Sequence, residues 1–214
     1  MYLNILNLTR KFIPKVSAIR AENIKAVNEI PEMVLNALAR NGDKSIVKVG
    51  MNESKAVRIL ENGSKTIFTD GLEGCNGVCC VAKGLDGNPI TIMSHYTPLE
   101  KSRALNKNSI EQQLNTYDYY LDKTAKPKVF YNVSGKEVDG QLVANENPLI
   151  SQLKSVFDKF FKQGYDEKVI PYEAVSKTPF DSKSMIAQYS KENGKWGMKL
   201  TTVGEKEHQI NLWG

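Results

Sequence analysis

Residues 68–98, FTDGLEGCNGVCCVAKGLDGNPITIMSHYTP, carry the clearest strand pattern of the chain and most of its reactive side chains. All three cysteines, Cys75, Cys79 and Cys80, lie in this stretch, together with His95, one of only two histidines. The runs NGVCCVAK and PITIMSH are typical of strands, and the GLDGN between them contains an Asp-Gly turn signal. The stretch therefore predicts an antiparallel hairpin.

The length of the hairpin loop fixes which residues face each other. If the loop is 84–88, Gly77 pairs with His95, because antiparallel partners keep a constant sum of residue numbers. Cys75 then lies two residues beyond the partner of His95 on the same sheet face, at the diagonal spacing of about 7 to 8 Å that longer side chains bridge. A slip of one residue would place His95 opposite Val78 and turn it away from Cys75. This register predicts a Cys–His pair.

A neighbouring imidazole gives a cysteine what nucleophilic catalysis requires. A free thiol with a pKa of about 8.5 is only a few per cent thiolate at pH 7, and a histidine accepts the thiol proton and later delivers it to the leaving group. A third group that hydrogen-bonds the other ring nitrogen fixes the tautomer. Thr69 and Asp70, just before the glycine-rich segment, are both candidates for this role. A threonine at the end of a strand is otherwise an ordinary strand residue.

Three glycines, Gly71, Gly74 and Gly77, surround Cys75. Because they lack a Cβ, they let backbone N–H groups converge on one point and let a substrate approach closely, as in an oxyanion hole. The same residues also suit a tight connection between strands that needs positive φ. Glycine content alone favours the tight connection, whereas the predicted Cys–His pair favours the oxyanion hole.

Cys79 and Cys80 lie inside the first hairpin strand, in an apolar run, and are interpreted as small buried hydrophobic residues. A zinc site that combines them with Cys75 and His95 is the alternative. The cysteines lack paired C-x2-C spacing, and adjacent strand residues point to opposite faces, so four ligands do not converge easily. The sequence therefore favours a buried structural role for both.

The rest of the chain predicts further helices and strands. Residues 1–30 indicate only a short strand and a helix, and SIVKVG, KAVRIL and KTIFTD predict a meander of three strands. Apolar residues recur at helical spacing in Pro31–Arg40, Ser109–Leu121 and Pro148–Lys162. Later strands are KVFYNV, KVIPY, SMIAQYS, KWGMKLTT and HQINLW, with ENGK as a hairpin turn. Without a repeat or a long linker, the expected fold is one α+β domain over residues 1–214, with a central β-sandwich-like sheet, mixed or antiparallel, flanked by helices.

Length and composition indicate a folded protein. The 214 residues are 41% hydrophobic and 25% charged, which excludes a disordered chain, and no apolar run approaches the about 20 residues of a membrane span. The net charge of +5 is scattered along the chain, so we expect no nucleic-acid partner. An odd number of clustered cysteines makes no disulfide framework and indicates a reducing compartment. The N-terminal MYLNILNLTRKFIPK places apolar residues before positive charges and encodes no Sec signal peptide.

Together these residues resemble the Cys/His glutamine deamidases: the bacterial chemoreceptor deamidases, the cytotoxic necrotizing factor catalytic domain and the Burkholderia lethal factor. The resemblance rests on Thr69 six residues before a cysteine that follows glycine, on the strand that runs from Cys75, and on His95 at the end of the next strand. It covers roughly residues 65–133, the expected catalytic core. Leu72-Glu73-Gly74-Cys75 stands where the family has Leu-Ser-Gly-Cys or Gly-Ser-Cys. The step of 20 residues from Cys75 to His95 is longer than the family's usual step by about a loop.

The resemblance implies Cys75 as nucleophile, His95 as general base and then general acid, and Thr69 as the residue that orients the imidazole. Backbone N–H groups at Cys75 and its neighbours, Gly74 and Asn76, would hold the oxyanion. A glutamine carboxamide would be attacked to a thioester, ammonia would leave, and water would release glutamate. The resemblance implies no metal and no cofactor.

The expected function is therefore deamidation of a glutamine in a protein substrate, by a bacterial toxin or effector. A host protein is the expected target, because the segments before residue 65 and after residue 133 provide surface for docking a large partner. The chain would be made in the bacterial cytoplasm and secreted or injected into the host cytosol. Transglutamination, another cysteine hydrolase such as a peptidase or amidase, and a non-catalytic protein-binding module are the alternatives. The sequence leaves the oligomeric state open.

Overall fold

Strands dominate the computed structural model, which describes residues 32–63, 65–98, 109–174, 184–203 and 206–213. The helices in this part of the chain are α1 (Glu32–Arg40), α2 (Ile110–Tyr117) and α3 (Pro148–Phe160), and a 3₁₀ turn, Asp118–Tyr120, follows α2. The strands are β1 (Ile46–Val49), β2 (Glu53–Arg58), β3 (Thr66–Thr69), β4 (Asn76–Lys83), β5 (Pro89–Tyr96), β6 (Lys128–Val138), β7 (Gln141–Ala144), β8 (Asp166–Glu173), β9 (Met185–Glu192), β10 (Lys195–Thr202) and β11 (Lys206–Asn211).

The strands form two sheets that pack face to face. The first sheet has the order β1-β3-β9-β10-β11, and the second has the order β2-β5-β4-β6-β7 with β8 beside β6. Between the sheets lies a core to which the first sheet contributes Ile67 and Leu200 and the second contributes Cys79 and Met93. The predicted α+β class, with helices around a β-sandwich, is confirmed.

Helices cover both outer faces of the sandwich. On the first sheet, Leu35 of α1 packs against Phe68. On the second sheet, Leu114 of α2 and Leu153 of α3 pack in one cluster with Cys80. Because successive side chains of a strand point to opposite faces, a strand covered on both sides must be apolar throughout. This is why β4 shows an unbroken apolar run rather than an alternating one.

The β4–β5 hairpin has the register that the sequence predicts. Lys83 pairs with Pro89, and Gly77 pairs with His95. The Gly84 N–H donates to the carbonyl of Asn88 at 2.8 Å and closes the predicted five-residue loop. The strand pairing on which the predicted proximity of Cys75 and His95 is based is therefore correct.

The predicted three-strand meander before residue 70 is wrong. The strands exist, but β1 pairs with β3 in parallel within the first sheet, whereas β2 pairs with β5 in the second. The connection at 50–52, where Asn52 has φ +53°, carries the chain from one sheet to the other instead of reversing it within one. Alternating hydrophobicity identifies a strand but not the strand with which it pairs. The local pattern therefore wrongly predicts that consecutive strands lie in one sheet.

Two of the predicted helices end earlier than expected. Ser109 caps α2, and its side chain accepts from Gln112 N–H at 3.4 Å, but the helix gives way to the 3₁₀ turn after Tyr117. Helix α3 begins at Pro148 as predicted, after the cap residue Asn147, and ends at Phe160. The strand and helix expected in residues 1–30 lie outside the described residues. None of the helices in the described ranges is long and apolar enough to cross a membrane.

Candidate active site

A hydrogen bond between Thr69 and His95 joins the two sheets at one end of the sandwich. Thr69 is the last residue of β3 in the first sheet, and His95 is the last residue but one of β5 in the second. Thr69 Oγ1 lies 2.8 Å from His95 Nδ1. Both side chains are buried, and His95 is only 1% exposed. The fold thus brings these two predicted site residues together.

The partners of Thr69 determine the tautomer of His95. The Thr69 hydroxyl donates to the Val49 carbonyl at 3.0 Å. A hydroxyl has one proton, so toward His95 the Thr69 oxygen acts as the acceptor and Nδ1 carries the hydrogen. In the neutral imidazole the buried Nε2 then holds the lone pair that can take a proton.

The surroundings keep His95 in its neutral form. Burial lowers the pKa of His95 below its ordinary value, because the charged imidazolium loses solvation, and the negative charge of Asp70 offsets this in part. A neutral imidazole with the proton on Nδ1 is the form that a general base requires.

Asp70, the alternative residue for orienting His95, is hydrogen-bonded elsewhere. Its carboxylate lies 2.7 Å from Lys48 Nζ and accepts from Asn36 Nδ2 at 2.9 Å. Burial raises the pKa of Asp70, but the hydrogen bonds from Lys48 and Asn36 outweigh it and lower the pKa overall. Asp70 is therefore ionised near neutral pH and acts on His95 through its charge, whereas Thr69 makes the described hydrogen bond to the ring.

Cys75 ends a tight turn formed by residues 72–75. The Cys75 N–H donates to the Leu72 carbonyl at 3.2 Å, and Gly74, the third residue of the turn, has φ +70°. A Cβ on Gly74 would meet no atom within 4 Å, so the backbone conformation, not space, requires glycine there. In this conformation the Cys75 N–H is used inside the turn. The oxyanion role of the backbone at Cys75, Gly74 and Asn76 stays a prediction.

Tyr172 of β8 holds this turn from the second sheet. Its hydroxyl contacts the carbonyl oxygens of both Leu72 and Cys75 and donates to one of them at a time. Burial is the main cause that raises the pKa of Tyr172, and a backbone hydrogen bond from Gly74 lowers it less strongly. Tyr172 is therefore a protonated donor at every physiological pH.

The Cys75 side chain lies in the core between the sheets, the layer that the Thr69–His95 hydrogen bond crosses. It is 5% exposed. Burial raises the pKa of the Cys75 thiol, because the thiolate loses solvation. Both the Cys75 thiol and the His95 imidazole are therefore neutral near neutral pH.

The side chain of Asn76 is hydrogen-bonded to Asn147. Its Oδ1 accepts from Asn147 Nδ2 at 2.7 Å, and the Oδ1 of Asn147 accepts from the Leu149 N–H at the start of α3. The side chain of Asn76 thus ties β4 to a helix cap on the outer face of the second sheet. Only the backbone of Asn76 remains for the predicted oxyanion role.

Cys79 and Cys80 are core residues, as predicted. Both are fully buried; Cys79 lies in the core between the sheets and Cys80 in the core beneath α2 and α3. Burial raises the pKa of Cys79 to about 12 and that of Cys80 still further. Within the described ranges no group of three or more His, Cys, Asp or Glu side chains is arranged to hold a metal ion.

Two residues that contribute to the site are not predicted by the sequence. The carbonyl of Val49 fixes the proton of Thr69, and Tyr172 holds the Cys75 turn. Both lie outside the expected core of residues 65–133. No spacing rule predicts these contacts. The parallel pairing of β1 with β3 brings Val49 to Thr69 across 20 residues, and the parallel pairing of β8 with β6 brings Tyr172 to Cys75 across 97 residues.

Comparison with protein-family profiles and with curated proteins finds no match. Among solved structures, the chain is similar to the crystal structure of the C-terminal domain of CNFy from Yersinia pseudotuberculosis, with a TM-score of 0.31 and 11% sequence identity. The similarity covers 78% of this chain and 62% of the CNFy chain. The present sequence therefore spans less than two thirds of the length of the CNFy chain. A likeness of this strength says nothing about activity.

Proposed function

We propose that the chain hydrolyses a carboxamide by Cys–His catalysis and that its substrate is a glutamine side chain of a target protein. One observation carries the chemistry: Thr69 Oγ1 lies 2.8 Å from His95 Nδ1 while its own proton goes to Val49. This arrangement leaves a neutral imidazole with its Nε2 lone pair in the core that also contains Cys75. The buried hydrogen bonds from His95 through Thr69 to Val49 suit a histidine that acts as a general base better than one that only fills the core.

The reaction follows from these protonation states. His95 Nε2 takes the proton from Cys75 Sγ as the sulfur attacks the carboxamide carbon, and the carbonyl oxygen becomes an oxyanion. The imidazolium returns the proton to the nitrogen, the C–N bond breaks, and ammonia leaves a thioester. Water then loses a proton to His95 and attacks the thioester, and glutamate and the free thiol are released.

The substrate assignment rests on the resemblance of residues 65–133 to the glutamine deamidases. Thr69, the Gly74-Cys75 pair and His95 match that pattern. A site with so little exposed surface offers a free amino acid little binding energy, and specificity must come from surface outside it. We therefore propose a folded protein as substrate, a host protein if the chain acts as a bacterial toxin or effector.

Deamidation of proteins in a lysate tests this proposal. Purified protein is incubated with bacterial and with eukaryotic lysates in ¹⁸O-labelled water, and peptides are searched for glutamine converted to labelled glutamate. The expected result is one or a few sites, absent with Cys75→Ala and retained with Cys80→Ala, the matched change at a buried core cysteine. Coupling of glutamine to an added amine would indicate transglutamination, and new peptide ends would indicate a peptidase. Hydrolysis of free glutamine without any modified protein would overturn the proposal in favour of a small-molecule amidase.

A non-catalytic binding module is the second candidate, favoured by the burial of Cys75 and the raised pKa of its thiol. Alkylation of the folded protein with iodoacetamide near neutral pH distinguishes the two. A nucleophilic Cys75 reacts much faster than Cys79 and Cys80, and His95→Ala slows it selectively. Equal inertness of all three thiols would support the module.

A further inference from the structure

The Leu72 carbonyl and the Cys75 N–H are the groups on which oxyanion binding depends. In the structure this N–H donates to Leu72 at 3.2 Å and is therefore occupied. To bind an oxyanion formed at Cys75, the N–H has to leave the Leu72 carbonyl. A buried carbonyl that loses its donor is costly, so the exchange requires a replacement donor.

Tyr172 supplies that donor. Its hydroxyl contacts the Leu72 carbonyl and, alternatively, the Cys75 carbonyl. The side chain is 3% exposed, so water cannot readily take its place. A single hydroxyl thus contacts the first and the last residue of the turn.

We propose that Tyr172 is a positioning residue for the nucleophile turn: by satisfying the Leu72 carbonyl, its hydroxyl releases the Cys75 N–H to bind the oxyanion of the tetrahedral intermediate. The inference rests on the proposed Cys–His hydrolysis and adds a residue that neither sequence spacing nor the resemblance assigns. Tyr172 touches neither substrate nor Sγ in this role. No bond to it forms or breaks.

Two reagents that attack the same sulfur separate this role from simple packing. Iodoacetamide alkylates a thiolate without forming an oxyanion, whereas [1-¹³C]acetaldehyde adds to the thiol and gives a hemithioacetal whose oxygen occupies the oxyanion position. Tyr172→Phe should weaken formation of the hemithioacetal at Cys75 by about 10- to 100-fold, somewhat below the effect of deleting a direct oxyanion donor. The same variant should leave the rate of alkylation within about twofold of that of the wild type, because the hydroxyl does not set the thiol protonation.

Tyr189→Phe is the matched control. Tyr189 lies in the same core, is 4% exposed, and its hydroxyl bonds with Thr91 rather than with the Cys75 turn. Tyr189→Phe also removes a buried tyrosine hydroxyl, but one that does not contact the Cys75 turn. This variant should therefore keep wild-type affinity for acetaldehyde. Equal weakening in both variants, or none in Tyr172→Phe, would overturn the inference while leaving the Cys–His proposal intact. If wild-type Cys75 reacts with neither reagent, both proposals fall.

A measurement on the wild type covers the case in which Tyr172→Phe does not fold. Labelling with [¹⁵N]cysteine gives only three amide resonances, those of Cys75, Cys79 and Cys80. The Cys75 amide proton should move further downfield in the hemithioacetal than in the iodoacetamide adduct, since only the former places an oxygen on the carbon bonded to Sγ, where the oxyanion would form. Equal shifts in the two adducts would show that the N–H stays on Leu72 and would overturn the inference.

Discussion

Gly77 and His95 are direct partners in the β4–β5 pair, and the space above Gly77 is filled by Leu72 and Met185. A Cβ on Gly77 would lie 3.0 Å from Met185 Sδ and 3.1 Å from Leu72 Cδ1. The absence of a side chain therefore lets the Cys75 turn and the first sheet close over β4 beside the imidazole. Gly77 acts through packing, not through a φ that other residues avoid.

Gly77→Ala should lower the free energy of unfolding by about 1–3 kcal/mol, because the added methyl group overpacks a filled core. Activity should fall as well, since Leu72 belongs to the Cys75 turn. Urea denaturation provides the measurement. Gly197→Ala in β10 is the control: its nearest neighbours lie at 3.6 and 4.0 Å, and the change should be neutral or slightly stabilising. A Gly77→Ala protein as stable as the control would show that the packing over Gly77 is not tight.

Cys75→Ala and His95→Ala should each abolish turnover, and the double variant should be no worse than either alone. In the proposed mechanism the two groups perform one step, so removing either removes the same transition-state stabilisation. Turnover of the identified target protein is the measurement, and a thermal unfolding curve close to that of the wild type is the control for Cys75→Ala. Additive losses would mean that the two side chains act in different steps. A collapse of the Cys75→Ala fold, with Cys79→Ala neutral, would reverse their roles.

Thr69→Val should reduce turnover at least about tenfold but less than His95→Ala, because a positioned general base contributes about 10²- to 10⁴-fold and orientation is only part of that. Valine keeps the shape of threonine and removes the oxygen that accepts from Nδ1. Thr69→Ser restores the oxygen and should recover most of the rate. A fully active Thr69→Val enzyme would indicate that the charge of Asp70, or a backbone carbonyl, is sufficient to hold the imidazole.

Stability should fall with decreasing pH because of His95. Its folded pKa is below the ordinary value of about 6.5, so below that pH the unfolded chain binds a proton that the folded protein does not. This stability is fully present above about pH 6.5 and is lost as the pH falls toward the folded pKa. His95→Gln should therefore lose less stability than the wild type between about pH 7.5 and 5.5 in urea denaturation. An unchanged slope in His95→Gln would contradict the assignment.

Local sequence patterns predicted the β4–β5 pair because a hairpin is a local structure. The Asp-Gly turn and the loop of five residues are enough to set the pairing of Gly77 with His95. The same reasoning failed for β1, β2 and β3, because partner choice among short strands depends on which sheet each one completes. The parallel pairing of β1 with β3 is a long-range contact, and no turn residue in the sequence indicates it.

In the candidate site, too, the sequence predicts what is local in the chain and misses the long-range contacts. Chain order alone leaves both Thr69 and Asp70 as candidates for orienting His95. The geometry separates them, since Lys48 and Asn36 bind Asp70 while Thr69 contacts the ring. No sequence pattern predicts that Tyr172 contributes to the site. A tyrosine in a strand is unremarkable in composition, and its contact with the Cys75 turn arises only when β8 joins β6.

The division of Thr69 and His95 between two sheets has a consequence for folding. Neither sheet alone contains both members of the hydrogen bond, and the partners of the site come from residues as far apart as Val49 and Tyr172. Contacts of such long sequence separation form late, after the costly closure of large loops. The nascent chain therefore carries an ordinary exposed thiol and an unoriented imidazole until the sandwich closes, and the arrangement of Thr69 with His95 is a product of the last stage of folding. A fragment limited to residues 65–133 would never reach that stage.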